Sequence, residues 1–207
     1  MIDVERILEC TFSLYSRYGI KSVAVDDIAM ELGMSKKTIY EHFNNRENLI
    51  EKAITKNLDD FLENMNQEID PGKDVFTQLA SYYVFIIHSV KKINPSFVHD
   101  LKKYSGEQYK AYVEFRNEKL YDIFMKIVQR GIDEGIFQNE LESKAVYYNQ
   151  IEKTSVLIDD YRSEFSPVII SPVLIYRMIL NDIRGMTTLK GHVVFEEKYT
   201  ELLKMIE

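Results

Sequence analysis

Glycine and proline are scarce in this chain. Its 207 residues include 8 Gly and 4 Pro, about half the combined frequency usual in globular proteins. A β-sandwich or barrel needs many tight turns, so the scarcity argues against both and for long helices. Cysteine is almost missing: Cys10 is the single one. That excludes an intramolecular disulfide and any zinc site built on two or more thiolates. Long apolar runs are missing too. The aromatic-apolar stretch 82–87 falls far below the ~20 residues of a membrane helix. The opening residues MIDVER lack the basic start and apolar stretch of a signal peptide. A soluble cytoplasmic protein is the expectation. There is no excess of positive charge. The net charge is −7, which gives no global pull toward nucleic acid or anionic membrane, so any DNA contact must come from a local basic patch.

Signs of catalysis are equally thin. His88, His99 and His192 are scattered, with neither HxxxH nor HExxH spacing, and no metal site is expected. None of the patterns GxSxG, GxxxxGK and GxGxxG occurs, so no nucleophile elbow or phosphate-cradling loop is indicated. With 33 carboxylates, chance acidic pairs are certain and say little about acid–base chemistry. The expectation is no catalytic residue, no cofactor and no enzyme.

What is present is helical patterning between well-spread breakers. Val4, Ile7, Leu8, Phe12 and Tyr15 recur at three and four residues, one face of a helix that Gly19 closes. Residues 26–32 predict a short helix with Ile28, Ala29 and Leu32 inward, and Gly33-Met34 a tight break. Ser35 suits the N-cap of a helix over 36–42, with Ile39 and Phe43 inward. A long helix is predicted over 46–69. Past Pro71 come helices over 75–91, 95–103, 107–134, 142–165 and 173–185, then a tail helix over 196–206. The boundary between a small N-terminal module (1–45) and a larger helical body (46–207) falls where the long helix begins.

Residues 26–43 read as short helix, Gly-containing turn, short helix. This is the helix-turn-helix pattern, whose second helix enters the major groove. With Ile39 and Phe43 inward, Lys36, Lys37, Thr38, Tyr40, Glu41 and His42 face outward or lie at the rim. Two lysines and a hydroxyl at a helix N-terminus suit phosphate oxygens through charge and free backbone N–H groups. Tyr40 offers a hydroxyl to phosphate and a ring to sugar or a thymine methyl. Arg46 adds a cation nearby. The alternative is a solvated basic face on a small three-helix unit.

The segment SVAVDDIAMELGMSKKTIYEHFNNRENL resembles the DNA-binding segment of the tetracycline-repressor-like (TetR) transcription regulators. The resemblance rests on Ile28-Ala29, on Gly33-Met34-Ser35 in the turn, and on Lys37-Thr38-Ile39-Tyr40 with His42-Phe43. It extends to Arg46-Glu47 and Leu49 and covers about a quarter of the chain. It implies an all-α protein: an N-terminal three-helix DNA-binding module joined through a long helix to a ligand-binding, dimerising body. It implies a homodimer on operator DNA. By position, Lys37, Tyr40 and Arg46 match backbone-contacting residues, and Lys36, Thr38 and His42 match residues that face bases or phosphates. Ser35 completes the DNA-binding set. One departure stands out. The family usually places Thr or Ser before the first motif helix, where this chain has Val23-Ala24. Asp26 would cap part of that helix instead.

The body is dense in aromatics. Phe61, Met65, Tyr82, Ile86, Tyr104, Tyr112 and Phe115 are candidates to line a cavity for a small apolar or amphipathic effector, or they are bundle core. Ile151, Ser155 and Ile158 on one helix and Ile175, Met178, Ile179 and Asp182 on another form stripes. Such stripes suit a four-helix bundle with a second copy, or cover the body's own core. The functional expectation is a ligand-responsive DNA-binding regulator, most simply a repressor. The alternative is a helical small-molecule-binding protein or enzyme whose helix-turn-helix is only structural.

Overall fold

The computed structural model describes residues 4–155 and 171–206, and among these the chain is all-α. The helices are α1 (Val4–Tyr18), α2 (Val25–Leu32), α3 (Lys36–Tyr40), α4 (Arg46–Glu68), α5 (Val75–Lys91), α6 (Pro95–Tyr104), α7 (Gly106–Glu114), α8 (Tyr121–Asp133), α9 (Ser143–Ser155), α10 (Pro172–Gly185) and α11 (Leu189–Lys204). A π-helical turn, Phe115–Leu120, joins α7 to α8. The chain packs as two compact units. One comprises residues 1–64 with 92–115, the other 65–91 with 116–207.

The first unit is built on α1–α3 and most of α4, with α6 and α7. Ile7, Tyr15, Ile28, Ile39, Phe43, Leu49 and Ile50 close its core, and Phe97 and Leu101 of α6 join them. Each such side chain contributes about 1.5–3 kcal/mol when fully removed from water. The helix ends follow local chemistry. Gly33 takes the left-handed conformation at φ 66° that closes α2. Asn94 caps α6 by accepting from the Ser96 N–H at 2.9 Å, and its own N–H reaches back to the Ser16 carbonyl at 2.7 Å.

The second unit is organised around α5. Its sequence VFTQLASYYVFIIHSVK is apolar on nearly every side, the pattern of a central buried helix. Helices α8, α9, α10 and α11 surround it. Phe76 meets Phe137 and Phe195 edge to face at 5.6 and 5.2 Å. The π-helical turn disrupts the regular backbone ladder. Its first flank is met by the Tyr147 hydroxyl, which donates to the Arg116 carbonyl. The Tyr82 hydroxyl donates to the Leu120 carbonyl at 3.0 Å.

Three expectations change. The helix predicted over 107–134 is broken at the π-helical turn, which no Gly or Pro marks. The tail helix begins at Leu189, capped by Thr188, rather than near residue 196. Gly191 therefore sits inside a helix, where its missing side chain permits close approach: a Cβ there would lie 2.1 Å from the Ile136 carbonyl oxygen. Beside that contact the 136–138 segment bridges to 186–188, with the Thr188 N–H on the Ile136 carbonyl at 2.9 Å and the Gln138 N–H on the Met186 carbonyl at 3.0 Å. The stripe over α9 and α10 is the third change. Ile151, Ile175 and Ile179 are 2%, 2% and 0% exposed within one chain, so they serve the core of the second unit. Met178 is 40% exposed, Ser155 is half-buried, and Asp182 is paired with Lys153. Ile158 lies outside the described residues.

Gly191→Ala should lower stability by about 2 kcal/mol, since overpacking a tight contact costs roughly 1–3 kcal/mol and the neighbour here is backbone. Urea denaturation checks this. Wild-type stability would show that α11 can move away from Ile136 at little cost.

Candidate nucleic-acid interface

The helix-turn-helix is set by its caps. Ser35 has extended backbone, and its Oγ accepts from the Thr38 N–H at 3.0 Å. The Ser35 and Thr38 hydroxyls also lie 2.8 Å apart, so both belong first to the cap. At the start of α2, Asp27 accepts from the Ala24 N–H at 2.7 Å, the charged half of a capping box. Ala24 has no side chain with which to return the bond. The capping residue is thus Asp27 and not Asp26.

Asp26 does something else. Its carboxylate takes the Lys36 ammonium at 2.8 Å, with both side chains about half exposed or more. The hydrogen bond to Asp26 and its charge raise the Lys36 pKa. Lys36 is therefore engaged before any phosphate arrives. Lys37 is exposed, and among the described residues it has no ion pair. Tyr40 is 38% exposed, and His42 is exposed at the end of the motif. Ile39 and Phe43 are buried at 0% and 1%, which leaves the Lys37–Tyr40 side of α3 facing outward.

Arg46 turns inward. Its Nη2 donates to the Ile20 carbonyl at 2.6 Å and to the Val23 carbonyl at 3.3 Å. The guanidinium also lies 5.9 Å from the Tyr15 ring centroid. Burial raises the Tyr15 pKa, and Arg46 offsets part of that rise. Arg46 thus fastens the loop between α1 and α2, a structural duty that sequence position does not reveal. Asp100 helps from α6 by accepting the Lys21 N–H at 2.8 Å.

The seven effector-site candidates are divided between the two units. Phe61 and Phe115 meet edge to face at 5.6 Å in the first. Tyr112 packs partly buried against that unit's core, and Tyr104 is 50% exposed on its surface. Met65, Tyr82 and Ile86 are buried in the second unit. The Tyr82 hydroxyl is already satisfied by backbone.

The sequence profile of the bacterial regulatory proteins of the tetR family matches residues 7–53, the span of α1–α3 and the start of α4. Residues 7–53 are thus a tetR-family segment. Relatives named for regulation extend the likeness beyond the matched segment. The transcriptional repressor KstR2 of Mycolicibacterium smegmatis is 23% identical over 146 residues, 69% of this chain and 71% of the relative. The regulator YfiR of Bacillus subtilis is 23% identical over 137 residues, 64% of this chain and 66% of the relative. Among solved structures, a TetR-family regulator from Marinobacter aquaeolei covers 98% of this chain and 99% of its own at a TM-score of 0.69 and 19% identity. The ketosteroid regulator KstR2 of Mycobacterium tuberculosis covers 91% and 97% at 0.62 and 18% identity. These structures share the fold. The matched segment and these relatives support a DNA-binding transcription regulator, and the relatives are regulators rather than enzymes. No helix among the described residues is long and apolar enough to cross a membrane.

Asp26→Asn should release Lys36 and remove one negative charge beside α3. The slope of log affinity against log salt for duplex DNA should then steepen by about 0.9 per protomer, one more phosphate neutralised. An unchanged slope would place Lys36 away from the DNA.

Proposed function

We propose that this regulator represses transcription by binding a palindromic site as a homodimer, and that a small apolar or amphipathic effector entering the helical body releases it. The observation that carries the DNA half is the outward face of α3: the unpaired Lys37 and exposed Tyr40, held on an N-capped helix by Ile39 and Phe43. A helix this short reads few base pairs, so two heads must act together, and the site they read mirrors the two-fold axis.

Support for the dimer comes from α10. Leu174 and Met178 are four residues apart and 37% and 40% exposed, an apolar pair on the solvent side of that helix. The contact surface we propose therefore uses Leu174 and Met178, with Asp182 and Ser155 at its margin, and leaves Ile151, Ile175 and Ile179 to the core. Support for an effector comes from the second unit. There Tyr82, Tyr83, Phe124 and Tyr147 form a chain of ring contacts. Next to the π-helical turn, the Arg116 Nε, Asn117 Oδ1 and Gln150 Nε2 atoms are buried without a hydrogen-bond partner among the described residues. Buried polar groups are costly unless paired. A ligand carbonyl or carboxylate would accept from the Arg116 and Gln150 donors, and a ligand hydroxyl would donate to the Asn117 oxygen. π-helical turns are frequent at functional sites. Effector and DNA would then oppose each other reciprocally, by typically about 1–3 kcal/mol.

The test starts from DNA sites enriched from fragmented genomic DNA by the purified protein. Lys37→Ala should weaken binding to the enriched site and flatten its salt slope by about 0.9 per protomer, with the circular dichroism spectrum unchanged. A wild-type slope would remove α3 from the interface. Leu174→Glu combined with Met178→Glu should yield a folded monomer in sedimentation velocity, because like charges would meet across the two-fold axis. A dimer that survives both changes would place its interface elsewhere.

A further inference from the structure

The phosphate contacts expected of this motif are depleted. Lys36 is paired with Asp26, Arg46 is committed to the Ile20 and Val23 carbonyls, and the usual hydroxyls before α2 are replaced by Val23-Ala24. A chain of net charge −7 must find positive charge near the motif to hold a polyanion. The first unit offers it across a cleft beside α3.

That cleft has a volume of about 480 Å³. Lys36 and Tyr40 form one wall, and Lys21 and Ser22 of the α1–α2 loop border it. Tyr104 of α6 and Gln108 of α7 line it as well. Tyr104 is an uncommon surface residue, a half-exposed aromatic ring flanked by two ammonium groups. Lys21 Nζ lies 5.8 Å from its centroid and Lys103 Nζ 5.3 Å. Neither lysine has a carboxylate partner among the described residues. Asp100 fixes the Lys21 backbone at 2.8 Å, and the ring restrains both side chains, so less freedom is lost when they meet a ligand. Glu47 also borders the cleft, which disfavours a small free anion deep inside it. The two ammonium groups, held at the Tyr104 ring and free of carboxylate partners among the described residues, suit the phosphates of a polymer better.

We propose that Lys21 and Lys103, ordered by the Tyr104 ring that lines this cleft, form a second phosphate grip on duplex DNA beside α3. The recognition helix supplies one set of backbone contacts. This lysine–tyrosine–lysine clamp supplies another, from α6 and the α1–α2 loop, outside the segment that resembles the family's DNA-binding motif in the case of Lys103 and Tyr104. The inference rests on the DNA-binding reading of α3, and the test separates the two.

The experiment measures affinity for a random-sequence 40-base-pair duplex by fluorescence anisotropy across a salt series, using the full-length protein. Neutralising one phosphate contributes about 0.9 to the slope. The double variant Lys21→Ala, Lys103→Ala should flatten the slope by about 1.8 per bound protomer. Tyr104→Ala, which removes the ring but no charge, should weaken binding at fixed salt. Lys110→Ala removes a lysine of the same unit that is paired with Glu114 at 3.6 Å, and it should leave the slope unchanged, which rules out a net-charge effect. Circular dichroism melting confirms that each variant is folded. A wild-type slope in the double variant, while Lys37→Ala flattens it, would overturn the clamp and leave α3 as the DNA-binding element. Loss of any salt dependence in the wild-type protein would overturn the DNA reading of α3 itself, and the clamp with it.

Discussion

The geometry of the N-terminal unit depends on one guanidinium. Arg46 stands at the first turn of α4 and binds the carbonyls of Ile20 and Val23, the two ends of the loop that turns α1 into α2. These two carbonyls lie outside both helices, and Arg46 supplies donors to them. Gly19 gives it the left-handed turn at φ 85°, and Asp100 holds its Lys21 N–H from α6. With the loop fixed from α4 and α6, α2 has one seat on the core. Gly33 and Ser35 then fix α3 against α2. The outward face of the recognition helix is thus determined by contacts made beneath it.

This arrangement divides the cations into two classes. Some are already engaged within the chain: Arg46 by backbone carbonyls and Lys36 by the exposed Asp26 carboxylate. Those left over lie at the periphery, at Lys37 on α3 and at Lys21 and Lys103 around Tyr104. An acidic chain gains from such an arrangement. Its net charge repels nucleic acid at long range, so nonspecific association is weak. Contact is favourable only where local groups meet phosphates in register.

Much of this was legible in the sequence. The glycine of the turn, the serine cap, the inward Ile39 and Phe43, and the outward Lys37 follow from local spacing, and local chemistry decides them. The limits of α5 and the length of α4 were legible for the same reason. What was not legible depended on distant partners. An arginine at a helix start looks the same whether it reaches for water or for carbonyls 23 and 26 residues back. Asp26 and Asp27 are adjacent and alike, yet one caps a helix and the other pairs a lysine. Gly191 reads as a breaker unless the Ile136 backbone beside it is known. The apolar stripe of α9 and α10 has the same periodicity whether it covers a core or a second copy, and most of it covers the core. Tyr104 reads as one more aromatic of the body, although it belongs to the DNA-binding unit.

The central claim is that Arg46 serves the fold and the peripheral lysines serve the DNA. Arg46→Met keeps an unbranched stem in place of the aliphatic part of arginine and removes the donors, so one measurement tests the claim: urea denaturation of this variant alongside its salt slope on duplex DNA. Hydrogen bonds from a charged group are worth roughly 1.5–3 kcal/mol, and the account predicts a loss of about 2 kcal/mol in the stability of the N-terminal unit. A variant as stable as wild type, with a salt slope flattened by about 0.9 per protomer, would make Arg46 a phosphate contact and contradict it.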